Sequence, residues 1–361
     1  MRERWTIEQA NEWYLKQGWL RGCNFIGSDC ANRLDMFQSY KSEEKLKTAE
    51  RELALAQKIG FNTVRIWANF DVYYAEPESY MEIFERYIEL CSKYNQKVMV
   101  VLTHEEDLPR GDVFVPKPMG EQKYALGYHQ GRFPLTEEEA STPIRHYYEY
   151  PDVRPVFLEF IRKTINKYKN DERILCWNLY NEPSHGLSDD RSGEILDAVY
   201  NIAREEDPIQ PLTVDLWRGF VDGRPKTAEQ QRALEMSDVI SFHSYESYER
   251  LVEDIDILKR ENRPLLLTEW LHRVKHNNVF DIYPLLYITN VANYCWGFVA
   301  GKTQTTEPWE DIWQKWNEGI DWGFDFTKWQ HDLFRPNLRP YDPREIKLIE
   351  KFNKLAADGD R

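Results

Sequence analysis

Short apolar runs, rich in β-branched and aromatic residues, alternate along the chain with segments whose apolar residues recur every three to four positions. The short runs predict eight strands: Leu20–Ile26, Asn62–Trp67, Lys97–Thr103, Ile174–Tyr180, Pro211–Leu216, Val239–Tyr245, Pro264–Glu269 and Tyr294–Val299. The periodic segments predict helices: Lys45–Ile59, Tyr80–Tyr94, Val153–Lys169, Gly193–Glu206, Thr227–Glu235, Tyr248–Glu261, Ile282–Ala292 and Pro343–Leu355. Strands that alternate with helices pair in parallel, and eight such units predict an α/β fold, a closed (β/α)8 TIM barrel.

An open, doubly wound sheet is the alternative fold for this alternation. Such a sheet usually carries a Gly-rich turn after its first strand, and the stretch RGCNFIGS contains no GxGxxG motif. The chain shows no internal repeat, low-complexity tract or linker, and barrels with insertions reach 361 residues as one domain. We therefore expect residues 1–361 to form a single catalytic barrel domain.

Two predicted connections are much longer than the others, namely His104–Asp152 after the third strand and Gly301–Asp342 after the eighth. Their aromatic residues argue against disorder: Tyr147, Tyr148, Tyr150, Trp309, Trp313, Trp316, Trp322 and Trp329. Because both connections follow strands, they lie on the C-terminal face, where barrel enzymes have their active sites. We expect most of these tryptophans to fasten the loops to the barrel and one or two to line a cleft.

Composition narrows the classes of partner. With 61 acidic and 47 basic residues the net charge is −14, which disfavours a nucleic-acid partner. Aromatic residues make up 14% of the chain, as expected either for a large core or for rings that stack on a sugar in a cleft. The five cysteines show no CxxC spacing, so neither a disulfide framework nor a zinc site is indicated.

Targeting signals are absent from the sequence as it stands. The stretch MRERWTIEQANEW has no apolar signal region, and no run is long enough to span a bilayer. We expect no membrane association, and either a cytoplasmic protein or a secreted or periplasmic one whose signal peptide was removed. We also expect no cofactor, no metal, and a monomer or weak oligomer.

Two glutamates end apolar runs, where a charge is costly unless it is paired, hydrogen-bonded or protonated. Glu182 follows the predicted strand in the stretch ILCWNLYNEP, and Glu269 ends the run PLLLTEW. Other strands also end in polar or aromatic residues: Asn24, Arg65, Trp67, His104, Asn181, Asp215, Trp217, His243, Tyr245 and Trp296. Singly, such an Arg or His is more often structural, but their convergence on one rim favours a site. We assign Asp215 and Trp217 no role beyond membership of that rim.

A pair of carboxyl groups is the equipment for cleaving a glycosidic bond, in which one protonates the leaving oxygen and the other faces the anomeric carbon. Arg65 beside one glutamate would keep it ionised, and apolar surroundings would keep Glu182 protonated. Asn181 is a neutral amide suited to a sugar hydroxyl. The stretch His104–Asp107 lacks the second histidine of HExxH, so we interpret it as a loop of solvated carboxylates and not as a zinc site.

From about Trp19 to Asn353, the motifs WNLYNEP, TEW, RGCNFIGS, NTVRIW and FHSY, with the late Trp296, resemble the clan A glycoside hydrolases, nearest to family 5, the cellulase and mannanase family. This resemblance implies a retaining β-glycosidase with Glu182 as general acid/base and Glu269 as nucleophile. The other implied roles concern the sugar and its support: Arg65 and Tyr245 hold Glu269, Asn181 binds the 2-hydroxyl, His104 and His243 line the subsite, and Trp296 stacks beneath the ring. Asn24 and Trp67 are expected to bind substrate at the same rim.

The substrate itself stays open. The stretch GKTQTTEPW and the later WQHDLFRPNLRPYDPREI are similar to a bacterial subset described as cellulase-like or xylanase-like. Long loops favour the hypothesis of an exo-acting pocket for short β-linked oligosaccharides or glycosides over an open groove for polysaccharides. A transglycosylase that uses the same residues, or a non-catalytic carbohydrate-binding barrel, is the alternative function.

Overall fold

The computed structural model describes residues 2–320 and 323–359, so Trp322 lies outside the described residues. Its main sheet has eight parallel strands: β1 Arg21–Asn24, β2 Thr63–Trp67, β3 Lys97–Val101, β4 Ile174–Tyr180, β5 Leu212–Val214, β6 Ile240–His243, β7 Leu265–Trp270 and β8 Ala292–Cys295. Neighbouring strands follow the order β5-β4-β3-β2-β1-β8-β7-β6. Each strand therefore pairs with its neighbours in the chain except at the border between β5 and β6, and β1 also pairs with β8.

The sheet closes between β5 and β6 through one residue beyond the end of β5. Leu216 forms a parallel bridge with Phe242. The Leu216 N–H donates to the carbonyl of Ser241 (3.1 Å), and the His243 N–H donates to the carbonyl of Leu216 (2.8 Å). The predicted (β/α)8 barrel is confirmed.

Helices surround the barrel and occupy its connections. They are α1 Ile7–Gln17, α2 Arg33–Phe37, α3 Ser42–Lys58, α4 Phe70–Ala75, α5 Pro77–Lys93, α6 Glu137–Ser141, α7 Arg154–Tyr168, α8 Asp189–Glu206, α9 Ala228–Met236, α10 Tyr248–Leu258, α11 Val279–Thr289, α12 Glu310–Asn317 and α13 Pro343–Asp358. Helix α5 shows why they pack on the sheet: Tyr80, Phe84, Tyr87 and Cys91 recur at three- and four-residue spacing and are all buried. Among the described residues, no helix has the length and apolar character needed to cross a membrane.

Some boundaries differ from those predicted. Helix α11 begins and ends earlier than the predicted Ile282–Ala292, and β8 begins at Ala292 instead of Tyr294. Apolar residues run on from the helix into the strand, so periodicity does not mark the border there. Asn290, with φ of +56°, ends the helix in the left-handed conformation that Asn tolerates. Helix α1 was not predicted, although Thr6 and Gln9 form a capping box at its start.

The two long connections lie after β3 and β8, as predicted, and each carries a short helix, α6 in the first and α12 in the second. Most of their aromatic residues pack within the protein. Tyr147 lies 4.6 Å from Phe70 between ring centroids, and Trp313 lies 4.7 Å from Phe326. Trp309 instead lines the large cleft at the C-terminal end of the barrel.

Candidate active site

The two glutamates singled out in the sequence face one cleft of about 1210 Å³ at the C-terminal end of the strands. Glu269 belongs to β7, and Glu182 lies two residues beyond the end of β4. His243, Tyr245 and Trp296 line the same cleft. Parallel strands bring their carboxyl ends to one face of a barrel, which is why residues far apart in sequence meet here.

Both oxygens of Glu269 accept hydrogen bonds, one from a side chain on β2 and the other from a side chain just beyond the end of β6. Arg65 donates from Nη1 to Oε1 (2.8 Å), and the Tyr245 hydroxyl donates to Oε2 (2.8 Å). Burial raises the pKa of Glu269, and the positive charges of His243 and Arg65 oppose that rise. Because both oxygens act as acceptors, the arrangement is that of an ionised carboxylate.

Arg65 is completely buried and uses both of its terminal nitrogens twice. Besides Glu269, Nη1 donates to Asn24 Oδ1 (2.9 Å). Nη2 donates to Asn181 Oδ1 (2.6 Å) and to Asp215 Oδ2 (2.7 Å). Arg65 therefore ties four strand ends together, and Asp215, which the sequence had left without a role, supplies a second carboxylate to balance its charge.

Glu182 lies between two histidines. His243 donates from Nδ1 to Oε1 (2.7 Å), and His185 donates from Nδ1 to Oε2 (2.9 Å). Burial raises the pKa of Glu182, but the bonds from His185 and His243 outweigh that effect and leave the pKa below its ordinary value. The prediction that apolar surroundings keep Glu182 protonated is therefore wrong, because the surroundings of its carboxyl group are imidazoles.

The pKa values of the two histidines are raised, whereas that of Glu182 is lowered. The hydrogen bond to Glu182 raises the pKa of His185 to about 9. Burial lowers the pKa of His243, but Glu269 and Asp215 raise it further, to about 10. Both rings are therefore cationic at neutral pH, and the proton that an acid catalyst needs is held within this group of side chains.

The two glutamates lie close together. One ligand atom each from Glu182, His243 and Glu269 all fall within 4.8 Å of one another. In retaining glycosidases the two carboxyl groups are about 5–5.5 Å apart, whereas inverting enzymes need roughly 6.5–9.5 Å to hold a water between them. The nearest oxygens of the two carboxyl groups are at most 4.8 Å apart, which favours the shorter, retaining spacing over the longer, inverting one.

The segment that carries Glu182 adopts a strained backbone. Glu182 has φ of +46° and Ser184 has φ of +67°, a region that costs a non-glycine residue about 1–2 kcal/mol. The Glu105 carboxylate lies beneath this segment and accepts five hydrogen bonds: from Tyr180 Oη, Ser192 Oγ and the backbone N–H groups of Ser184, Gly186 and Leu187. These bonds hold the turn in the conformation that points Glu182 into the cleft.

The prediction that the carboxylates of His104–Asp107 are solvated is wrong for Glu105 and Glu106. Glu105 is 3% exposed. Glu106 accepts from Arg33 Nη1 (2.5 Å), and its side chain is 11% exposed. A pattern of consecutive charges is typical of a surface loop, and only the distant partners, which a motif does not reveal, show otherwise.

The remaining predicted substrate-binding residues lie on the same rim. Trp296 packs edge-on against Trp67 at 5.2 Å, and both line a smaller cavity of about 50 Å³ beside the cleft. Asn24 lines that cavity too and donates from Nδ2 to the carbonyl of Thr268 (2.9 Å). His104 lies beside Glu106, with Nδ1 3.6 Å from Oε2. Burial and the charge of Arg33 lower the pKa of His104 to about 3, so its ring is neutral.

Sequence reasoning missed several residues of the cleft. His185 packs at 5.2 Å against Trp217, whose Nε1 donates to the carbonyl of Pro183 (2.9 Å). A second group, which we call the histidine platform, consists of His272, His331 and Trp309, which pack against Tyr245, and His129, which packs against Trp309 and His331. Its members come from three different loops, so no local pattern predicts that they meet.

Paired glutamates at the ends of the fourth and seventh strands of a parallel barrel define a class of enzyme, the clan A glycoside hydrolases. A family model described as "Cellulase (glycosyl hydrolase family 5)" matches residues 4–292. The chain belongs to this family. Membership confirms the resemblance seen in the sequence motifs and the predicted class of enzyme, a retaining glycoside hydrolase.

Solved structures of low sequence identity share the fold. GH5_18 from Streptomyces cattleya, in complex with GlcNAc, has a TM-score of 0.61 at 13% identity, covering 94% of this chain and 80% of that one. The endo-β-1,4-mannanase from Thermotoga petrophila has a TM-score of 0.58 at 14% identity, with coverages of 95% and 78%. The exo-β-1,4-mannosidase Op5Man5 from an Opitutaceae bacterium has a TM-score of 0.55 at 14% identity, with coverages of 95% and 59%.

One curated relative is similar in sequence. A β-galactosidase from Leuconostoc mesenteroides is 22% identical over 194 residues, which is 50% of this chain and 17% of that protein. The match spans about a sixth of the length of that relative.

Proposed function

We propose that the protein hydrolyses β-glycosidic bonds of oligo- or polysaccharides by double displacement, with Glu182 as general acid/base and Glu269 as nucleophile. The observation that carries this proposal is the pair of glutamates whose ligand atoms lie within 4.8 Å of each other and of His243. The unequal partners of the two carboxyl groups support the division of roles. Glu269 accepts from Arg65 and Tyr245, whereas Glu182 contacts two groups that carry and exchange protons.

In the first step the Glu269 carboxylate attacks the anomeric carbon, while Glu182 transfers a proton to the departing oxygen. The proton comes from the group formed by Glu182, His185 and His243, across contacts of 2.7 and 2.9 Å. A leaving group that takes the place of His185 at Oε2 restores the proton to Glu182, because loss of that hydrogen bond raises its pKa.

In the second step Glu182, now a carboxylate, accepts a proton from water as the water attacks the glycosyl–Glu269 ester. The sugar leaves with its original configuration, and both side chains return to their starting state. Arg65 and Tyr245 stabilise the departing Glu269 carboxylate through the two hydrogen bonds that they already make.

The sugar is a separate question. Several solved structures of similar fold are β-1,4-mannanases or mannosidases, and two others are complexes with Manβ1-4GlcNAc. The sequence relative is a β-galactosidase. These names select the panel for assay: aryl β-mannosides, β-glucosides, β-galactosides and β-xylosides, and the β-1,4-linked disaccharides.

Replacement of each glutamate followed by addition of azide tests the two roles. We expect Glu269→Gly to lose roughly 10⁴-fold or more in kcat, and azide to restore turnover of an activated aryl β-glycoside with an α-glycosyl azide as product. We expect Glu182→Ala with azide to give the β-glycosyl azide, because Glu269 still forms the intermediate.

Glu43→Ala is a matched control, since Glu43 is an exposed glutamate paired with Arg86 on the helical surface. This variant should keep the wild-type rate and form no glycosyl azide. Circular dichroism checks that Glu182→Ala and Glu269→Gly are folded. If the folded variants turned over every aryl β-glycoside at the wild-type rate, the assignment would be wrong.

A further inference from the structure

A second ion pair lies at the edge of the cleft, beside Asn181. Glu106 lines the cleft and accepts from Arg33 Nη1 (2.5 Å) through Oε2. Its other oxygen, Oε1, accepts from Asn181 Nδ2 (3.1 Å). Burial raises the pKa of Glu106, but the charge of Arg33 lowers it further, so the group is an anion.

Asn181 is consequently held at both ends of its amide. Its Oδ1 accepts from Arg65 Nη2 (2.6 Å), and one N–H of Nδ2 donates to Glu106. An amide nitrogen has two N–H groups, so the second remains for a ligand. Arg65 and Glu106 together fix the side of Asn181 on which that N–H lies.

Buried donors at the same place lack partners. Nη2 of Arg33 and Nε1 of Trp67 have no hydrogen-bond partner among the residues that the structure describes. Both residues line the smaller cavity of about 50 Å³, and the Arg33 guanidinium carbon lies 4.5 Å from the centroid of Trp67. Buried polar groups are costly when unpaired, so donors of this kind indicate a ligand or water with acceptor oxygens.

We propose that Glu106 is a specificity-determining residue that, with Arg33, reads the hydroxyl groups of the sugar on the non-reducing side of the cleaved bond. Glu106 orients the Asn181 amide so that its free N–H donates to the 2-hydroxyl. A Glu106 oxygen accepts a hydrogen bond from the next hydroxyl along the ring. This proposal rests on the proposed function, and it names the substrate class: β-glycosides of neutral sugars with free hydroxyls next to the anomeric carbon.

The charges at this place favour a neutral sugar over a uronic acid. Asp107 and Asp332 line the smaller cavity together with Arg33. With Glu106 at the edge of the cleft they make three acidic side chains near this place, and Nη1 of Arg33 is already paired with Glu106. A carboxylate on the sugar would meet like charges at short range, which disfavours its binding.

The test compares substrates that differ only at the 2-position. We expect Glu106→Gln to lower kcat/KM for an aryl β-glycoside with a 2-hydroxyl roughly 10- to 100-fold, and to change kcat/KM for the matching 2-deoxy glycoside less than about 3-fold. The loss should fall mainly on kcat, because contacts to the 2-hydroxyl strengthen in the transition state. Wild-type enzyme should turn over the β-glucuronide at least roughly 100-fold more slowly than the matching β-glucoside.

Two further variants keep the test decisive. Arg33→Met should change the ratio between the two substrates in the same direction as Glu106→Gln. Asp238→Asn removes a buried ion pair with Arg204 (3.0 Å) that lies before β6, at the opposite end of the barrel, and should leave the ratio unchanged. Equal losses on both substrates for Glu106→Gln and Arg33→Met would overturn the proposal while leaving the proposed function intact. Failure of the wild type on every glycoside tested would instead refute the proposed function itself.

Discussion

Two groups of histidines lie at the C-terminal end of the barrel and differ in charge. His185 and His243 flank Glu182, and their pKa values are raised to about 9 and about 10. In the histidine platform, burial lowers the pKa of His129 to about 4 and carries the pKa values of His272 and His331 well below the ordinary range. The first group is cationic at neutral pH and the second is neutral.

Burial alone does not explain the difference, because His243 is 6% exposed and His331 is 0% exposed. The partners decide. Nδ1 of His243 lies 2.7 Å from Glu182 and 3.5 Å from Glu269, whereas Nδ1 of His331 contacts the backbone carbonyl of Leu271. A neighbouring carboxylate stabilises the protonated imidazole. A single hydrogen bond to a backbone carbonyl does not replace the hydration that a buried imidazolium loses. In this cleft the neighbouring carboxylates set the charge of the histidines.

Loss of His243 should produce the largest effect. His243→Ala leaves Glu182 and Glu269 facing each other without the cation between them. We expect kcat/KM for an aryl β-glycoside to fall roughly 10²- to 10³-fold, the size seen when a group that stabilises charge at the reacting centre is removed. Steady-state kinetics on the wild type and the variant measure it.

His272→Ala is the matched comparison, since His272 belongs to the neutral group and its Nε2 has no partner among the described residues. It should cost packing against Trp309 (4.4 Å) and less than about 10-fold in kcat/KM. Equal losses for the two variants would break the distinction between the groups.

The two groups of histidines should contribute to the slope of stability against pH with opposite signs. The pKa of His129 is lower in the fold than the ordinary 6.5, so its contribution is complete above pH 6.5 and is lost as pH falls toward 4. The pKa of His185 is raised, so its contribution is complete below pH 6.5 and is lost as pH rises through 9. Chemical unfolding at a series of pH values measures both.

Two single variants separate these slopes. His129→Asn should flatten the acid side by at most about 1.4 kcal/mol per pH unit. His185→Asn should flatten the alkaline side by less, because its ring is 42% exposed and solvent screens the charge. A change on the opposite side of the profile in either variant would contradict the assigned charges.

The smallest effect concerns the pH profile of activity. His185 lowers the pKa of Glu182, so His185→Ala should raise that pKa and move the alkaline limb of kcat/KM to higher pH by about one unit or less. His276→Ala, which removes an exposed histidine outside the cleft, should leave the profile in place. A shift to lower pH for His185→Ala would refute the link between the two residues.

The part of the site that lies on strands was predictable. Arg65, Glu269 and Asn181 end or follow parallel strands, so their convergence follows from the fold alone. The structure brings them within hydrogen-bonding distance, as the sequence implied, and their catalytic roles stay predictions. Asp215 and Trp217 were placed on the rim without a role, because a single polar residue at a strand end carries no partner information.

The part that lies on loops was not predictable. His185 reaches Glu182 because Glu182 and Ser184 take positive φ values, and neither residue type signals such a turn. Arg33 and Glu106 meet across 73 positions of sequence. No periodicity or motif encodes a contact of that kind, and the same holds for the three loops that build the histidine platform.

Glu105 has a consequence for exchanging parts between barrels of this family. The turn that presents Glu182 follows β4, but the carboxylate that fastens it comes from the connection after β3. A graft of the β4 turn alone into another scaffold would transfer its strained backbone without the hydrogen bonds to Glu105 that stabilise it. Glu105 and the turn form one transferable unit, although about 80 positions separate them in the chain.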